Sequence, residues 1–421
     1  MKKKDYLAYF FIRSVTFPLS FLPLKVLHFM GKIVGGISFF LLTEYRKRAL
    51  SNLALAKDLH LGNASIKKYA KQSFQNLAIN CLEYAKFDRA KDLSKYIRCN
   101  NPETAYRLYN KKQGIIFFCG HLANWETLFL DGNINMKGVA IGKPIKNKFL
   151  YRWVVKIREK NGGKIVCPKN ALKEGLRALK QGKFMGIVGD QAMPESDYMF
   201  PFLGRPAFNS TAPALLSYKT KSPIIVATTL RKKGFYEITY SDPIYPHLDN
   251  SLDFEVKRMM DKALKILEKK VLETPGQWLW QHNRWKQQTP KTVFKEYRHD
   301  CLLVIIEENY DEEALKTIRA IYQKEYLVIM LPVSLNKDLF SYVDEILTYT
   351  SKKQMLRDDY RFKLVINFTS NPLPKKYYLR KSAIAFLSLD DFVKNSKKQN
   401  LSNAIIQKLC RPHTFLSPYA S

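Results

Sequence analysis

The sequence predicts an α/β protein. A mostly parallel sheet flanked by helices is preceded by an apolar N-terminal anchor and followed by a second, small α/β domain. Two observations carry this. Short β-branched and aromatic runs alternate with helical stretches over 114–188 and again over 302–409, the pattern of βαβ units. The 421 residues also exceed one ordinary core, and we expect domains at 1–45, 46–296 and 297–421. Sheets of this kind gather their reactive groups at the carboxyl ends of strands.

The chain opens Met1-Lys2-Lys3-Lys4 and stays apolar to Thr43, broken by Arg13, Lys25 and Lys32. Residues 26–42 are at the short limit for a spanning helix, and no small-x-small cleavage site follows. We read a membrane anchor, either one short span or an interfacial helix, with Tyr45-Arg46-Lys47-Arg48 left on the cytoplasmic side. An ordinary first helix packed on the domain is the alternative. Residues 65–86 carry Ile66, Ala70, Phe74, Leu77 and Cys81 at helical spacing behind Asn63 and Ser65, so this stripe faces a core.

Strands are expected at 114–119, 137–141, 164–167 and 184–188, with helices at 149–160 and 171–181. Residues 199–207, punctuated by Pro and Gly, read as a loop. Ser210-Thr211-Ala212-Pro213 has the chemistry of a helix start, either a plain cap or a place where a phosphate or carboxylate docks. Residues 223–229 and 235–240 suit an antiparallel pair. Three Trp between 278 and 285 form either an interface wall or ordinary core.

Seventy Lys+Arg against 37 Asp+Glu leave a net charge of +33, which implies an anionic partner. No helix-turn-helix, RNA-recognition or zinc-finger pattern accompanies it, so nucleic acid is not expected. Six scattered cysteines without CxxC spacing suit a reducing compartment and no disulfide or zinc framework.

The chemistry centres on Gly120-His121-Leu122-Ala123-Asn124-Trp125-Glu126, directly behind Ile115-Ile116-Phe117-Phe118-Cys119. Residues five apart do not stack on one helix face, so His121 and Glu126 meet only if the His lies in a turn between strand and helix. A neutral imidazole held by a carboxylate is a competent general base near neutral pH. Spacing alone is weak, because seven histidines would yield about 0.6 such His-x4-acid matches by chance.

The full ordered set resembles the lysophospholipid acyltransferase superfamily, in its late lipid A acyltransferase (lauroyl/myristoyl) branch. It comprises Gly120-His121…Glu126, Lys143-Pro144…Lys146-Asn147 with Arg158, Gly189-Asp190-Gln191, Phe202…Gly204, and Trp278-Leu279-Trp280-x-His282-x-Arg284-Trp285. The likeness covers about residues 1–290. Glu126 matches the lipid A branch, whereas Lys143 departs from the usual Arg. The resemblance implies an acyltransferase-type sheet and transfer of a fatty acyl chain from acyl carrier protein, or coenzyme A, to a hydroxyl of a (Kdo-)lipid A precursor. His121 would be the general base, oriented by Glu126. Arg158 would stabilise the oxyanion or grip an acceptor phosphate, with Lys146 second. Asp190 would position its loop or orient Arg158. Lys143, Lys146, Asn147, Gln191, Gly204 and Thr211 would contact substrate. No metal or cofactor is implied. The setting would be the cytoplasmic face of a Gram-negative inner membrane, reached through a single N-terminal anchor, with its anionic surface as a further partner. Alternatives are a glycerophospholipid or other glycolipid acceptor, or a non-catalytic basic membrane scaffold.

The family likeness does not reach the last 130 or so residues. Strands near 302–307, 326–331, 345–350, 362–368 and 383–388, with helices at 312–323 and 400–409, predict a small α/β domain. It has no phosphate-loop motif, so an accessory role is expected. Cys410 and His413 read as tail.

Overall fold

Five consecutive buried residues make the strand Ile115–Cys119, the middle strand of the larger sheet. A strand buried on both faces reads as an unbroken apolar run, as this one does. The computed structural model describes residues 3–393 and 400–411. The helices in chain order are α1 (Lys3–Leu19), α2 (Leu24–Leu41), α3 (Thr43–Leu55), α4 (Asn63–Arg89), α5 (Glu103–Asn110), α6 (Glu126–Asn135), α7 (Lys148–Arg158), α8 (Ala171–Lys180), α9 (Ala212–Thr220), α10 (Leu252–Glu273), α11 (Glu312–Ile321), α12 (Leu373–Lys381), α13 (Leu389–Val393) and α14 (Leu401–Leu409). The strands are β1 (Ile97–Cys99), β2 (Ile115–Cys119), β3 (Gly138–Ile141), β4 (Lys164–Val166), β5 (Phe184–Val188), β6 (Met199–Phe202), β7 (Arg205–Phe208), β8 (Ile224–Arg231), β9 (Tyr236–Tyr240), β10 (Cys301–Ile305), β11 (Tyr326–Pro332), β12 (Glu345–Tyr349), β13 (Leu364–Asn367) and β14 (Ala385–Ser388).

These elements form two compact units, Met1–Leu41 with Lys68–His282, and Leu42–Lys67 with Asn283–Ser421. In the first, a seven-stranded sheet has the order β1-β9-β8-β2-β5-β3-β4. Every pairing is parallel except β8 with β9, the antiparallel pair the sequence predicts. Central β2 pairs with β5 on one side and β8 on the other, and Cys119 lies opposite Val188. The expected loop at 199–207 is instead a hairpin, β6 against β7. Leu203 and Gly204 at its tip both take positive φ (52° and 75°), the backbone that suits a two-residue hairpin turn. The tryptophans 278, 280 and 285 are core rather than an exposed wall.

The N-terminal segment is two helices rather than one. Helix α1 presents Phe10 and Phe11, and α2 presents Phe29, Ile33, Ile37 and Phe40, all exposed. By length and composition α2 is apolar enough to cross a membrane. Its other face is committed to protein, with Leu24, Leu27, His28, Gly31 and Gly35 buried. Close approach to α4 requires glycine at position 35, where a Cβ would lie 2.3 Å from Gln75 Cα.

In the second unit all strands are parallel, in the order β12-β11-β10-β13-β14, with α11 and α14 against the core they share. Its membership differs from the expected boundary, because α3 belongs to it. Lys363 Nζ, fully buried, donates to Asp300 at 2.8 and 2.9 Å, to Asn283 at 2.9 Å and to Asn52 of α3 at 2.8 Å. A buried ammonium needs that many acceptors, and they tie residues 42–67 to this sheet. Cys410 is buried and bridges Val293, so it is core rather than tail. His413 lies outside the described residues.

A Gly35→Ala substitution should destabilise the protein by about 1–3 kcal/mol, because the new methyl meets backbone. At Gly36 the nearest atom to an added Cβ is the flexible end of Lys71, 3.5 Å away. Gly36→Ala should therefore gain about 0.5–1 kcal/mol of helix stability. Thermal unfolding of the two variants checks the opposite signs.

Candidate active site

Strand pairing builds the site. Because Cys119 is opposite Val188, the two residues that follow each strand, Gly120-His121 and Gly189-Asp190, leave the sheet side by side. Gly189 N–H donates to Cys119 O at 2.9 Å and continues the ladder one step. Asp190 then accepts from His121 N–H at 2.7 Å, from His121 Nδ1 at 2.6 Å and from Trp278 Nε1 at 2.7 Å. Gly120 is needed for this approach, since a Cβ there would sit 2.9 Å from Asp190 Oδ2. Burial pushes the Asp190 carboxyl up, but the His121 charge and the hydrogen bonds from His121 and Trp278 outweigh it and hold the group below the usual carboxylate range. An ionised Asp190 requires a proton on Nδ1, so Nε2 is the ring nitrogen turned away from the carboxylate. Gln191 Nε2 lies 3.4 Å from His121 Nε2 and 3.1 Å from His282 Nε2.

This corrects the expected partnership. Glu126 does not hold His121. It receives Arg158 Nε at 2.7 Å, Arg158 Nη2 at 2.5 Å and Tyr84 OH at 2.8 Å. Burial raises the Glu126 carboxyl, and the Arg158 guanidinium and hydrogen bonds from Arg158 and Tyr84 bring it below its ordinary value. Nor does Asp190 orient Arg158, since its bonds go to His121 and Trp278.

The other expected contacts divide. Gln191 reaches the His121 ring. Lys143 and Lys146 are exposed on the loop before α7. Asn147 spends its side chain as the α7 N-cap, accepting from Phe149 and Leu150 N–H, while its Nδ2 donates to Asp5 O at 2.7 Å. Gly204 is the hairpin tip. Thr211 precedes α9 without a side-chain cap bond, and Ser210 Oγ receives the Ala212 N–H at 3.2 Å. The sequence reading missed Tyr84 and Asn124 and left His282 and Trp278 as motif members without roles. The His282 ring lies 4.9 Å from the His121 ring, tilted 58° to it. Its regular spacing from Trp278 and Trp280 was the available signal. Among the described residues no three His, Cys, Asp or Glu side chains group as a metal site.

Beside the His121 turn opens a narrow apolar cavity of about 80 Å3. Phe117 and Cys119 of β2, Phe184, Gly186 and Val188 of β5, and Phe129 of α6 line it, with Glu126 and Arg158 in its wall. Alternate residues of adjacent strands share a face, so the cavity follows β2 and β5 away from the His121 turn. Tyr240 also lines it, and burial raises the nearby Asp131 carboxyl to about 6. A carboxyl whose folded value is raised favours the fold in its protonated state. The penalty is therefore full above pH 6 and vanishes below the unfolded value near 4. Asp131→Asn should raise stability by about 1–2 kcal/mol at pH 7.5 and leave it unchanged at pH 4, as read by thermal unfolding across pH.

The chain matches the family model for bacterial lipid A biosynthesis acyltransferases over residues 1–287. It is 23% identical over 273 residues to the lipid A biosynthesis palmitoleoyltransferase of Escherichia coli K12, covering 63% of this chain and 86% of that protein. The lipid A biosynthesis acyltransferase of Shigella flexneri matches equally. The Escherichia coli K12 lipid A biosynthesis lauroyltransferase is 22% identical over 272 residues, 63% of this chain and 87% of its own. The chain thus belongs to the bacterial lipid A biosynthesis acyltransferase family and is an O-acyltransferase.

Proposed function

We propose that the protein moves a fatty acyl chain from acyl carrier protein to a hydroxyl of a (Kdo-)lipid A precursor at the cytoplasmic face of the inner membrane. One observation carries the mechanism: His121 is gripped at Nδ1 by buried Asp190, so its Nε2 is turned away from that carboxylate, toward Gln191, in the turn whose flanking residues Cys119 and Trp125 line the apolar cavity. Nε2 takes the proton of the acceptor hydroxyl, and that oxygen attacks the thioester carbonyl. The tetrahedral oxyanion collapses, the carbon–sulfur bond breaks, and the leaving thiolate recovers the proton from Nε2. Asp190 fixes the ring and balances the imidazolium between these steps.

Arg158 stabilises the oxyanion. Glu126 and Tyr84 hold its Nε and Nη2, and the guanidinium forms part of the cavity wall. An apolar wall suits a thioester and its chain better than an acceptor phosphate. The cavity holds the acyl tail. The exposed apolar faces of α1 and α2, with a charge of +33, suit an anionic membrane surface. Because His28, Gly31 and Gly35 are buried against α4, α2 lies along that surface instead of crossing it. The second unit is an accessory domain.

The reading is tested with detergent-purified wild type and His121→Ala, acyl carrier protein loaded with a range of chains, and products read by mass. One chain added to tetra-acylated lipid A precursor by wild type alone is expected. Acylation of lysophospholipid only would overturn the acceptor assignment. Asp190→Asn should lower kcat about 10³- to 10⁴-fold by destroying the ring orientation. Glu126→Gln should cost about 10- to 100-fold through Arg158, with the pH profile of the base kept. The reverse ranking would restore Glu126 as the partner of His121.

A Cβ at Gly186 meets only ordinary contacts, Ala140 Cβ at 3.5 Å being the nearest, so a larger side chain fits by filling the cavity. Gly186→Val should shift product toward shorter chains. Each excluded methylene should cost about 0.8 kcal/mol, roughly fourfold in selectivity between donors.

A further inference from the structure

We infer that His28 and Glu83 are positioning residues for the catalytic turn, so that α2 is a working part of the active site and not a detachable anchor. The inference rests on the acyl-transfer reading and adds to its motifs two residues that lie outside them. Glu83 on α4 is fully buried, where a carboxylate is tolerated only when its lone pairs are filled. Tyr236 OH donates to it at 2.6 Å, Asn124 Nδ2 donates at 2.8 Å, and His28 Nε2 lies 2.7 Å away. Asn124 is inside the catalytic turn. Its Oδ1 receives the Glu126 N–H at 3.2 Å and its carbonyl receives Thr127 Oγ1 at 2.7 Å.

The residue before it, Ala123, has φ of +46°, a conformation that side-chain-bearing residues seldom hold unaided. Its carbonyl receives Asn80 Nδ2 at 2.6 Å and Asn76 Nδ2 at 3.0 Å, and its N–H donates to Gln277 O at 2.8 Å. Arg231 donates to the side-chain oxygens of Asn76 and Asn80 and gives Nε to Tyr236 OH at 2.6 Å. The ring of bonds closes from Glu83 through Tyr236, Arg231 and the two asparagines to Ala123 and Asn124.

The contribution of α2 to this ring is His28. The same 18-residue helix exposes Phe29 and Ile33 on its opposite side. Displacing α2 removes one of the donors to Glu83, and a buried carboxylate short of a partner drives its neighbours to rearrange. Asn124 and the turn that carries His121 are those neighbours.

The test uses the full chain in detergent with His28→Ala, His28→Gln and, where His28→Ala does not fold, Glu83→Gln. Amide exchange of the peptide spanning 119–130 is measured first. Steady-state kinetics and co-sedimentation with phosphatidylglycerol/phosphatidylethanolamine vesicles follow. His28→Ala should exchange about tenfold faster in that peptide and lose about tenfold in kcat, with KM and vesicle binding within about twofold of wild type. His28→Gln, which keeps an N–H donor, should recover both. Unchanged exchange at 119–130 in a folded variant would overturn the inference, as would a loss of turnover that follows a loss of vesicle binding. Wild-type protein inactive on every acceptor would sink the acyl-transfer reading alone, since exchange still decides the positioning role.

Discussion

The site depends on one strand pairing, β2 beside β5 with Cys119 opposite Val188. That register delivers His121 and Asp190 from adjacent strand ends at a separation a hydrogen bond can span. Slipping it by one residue would turn every side chain of β5 to the other face and take Asp190 with it. The cavity obeys the same register, because Phe117 and Cys119 share a face with Phe184, Gly186 and Val188. The His121–Asp190 pair and the cavity are thus consequences of one alignment.

Charge balance explains why the carboxylates divide as they do. Glu126 and Asp190 are both buried, and Arg158 and His121 are the groups that face them. A bidentate guanidinium–carboxylate pair offsets burial of both charges, and an imidazole offers one N–H to a carboxylate already served by backbone and indole donors. Were His121 to bond Glu126 instead, Asp190 would lose its ring partner and the largely enclosed Arg158 would have to share its carboxylate. The observed pairing satisfies all four groups.

Much of this was legible in the sequence. The β2 and β5 runs, the long α4 and the alternation of the second unit stand out because burial imprints a period on composition. The pairing of β2 with β5 did not, since β3 and β4 lie between them in the chain and only the folded order makes β2 and β5 neighbours. The His-x4-Glu spacing therefore drew attention to a sequential partner, while the spatial partner sits 69 residues away. The grouping of α3 with the second sheet was hidden for a related reason. It rests on contacts such as Lys363 with Asn52, separated by 311 residues. The buried tryptophans were ambiguous because an aromatic cluster serves a core or an interface equally well.

The proposed chemistry also divides along the strand. The cavity begins at Cys119 and Val188, two residues before His121 and Asp190, and reaches Phe184, four residues back along β5. At roughly 3.3 Å per residue that is about 13 Å of sheet. In the proposed reaction a thioester carbonyl held at the Glu126–Arg158 end would fix one end of the donor, and the other end would be measured against Phe184 and its neighbours. Substitutions at the floor then act on which chain is taken, and those at the Glu126–Arg158 end on how fast it moves.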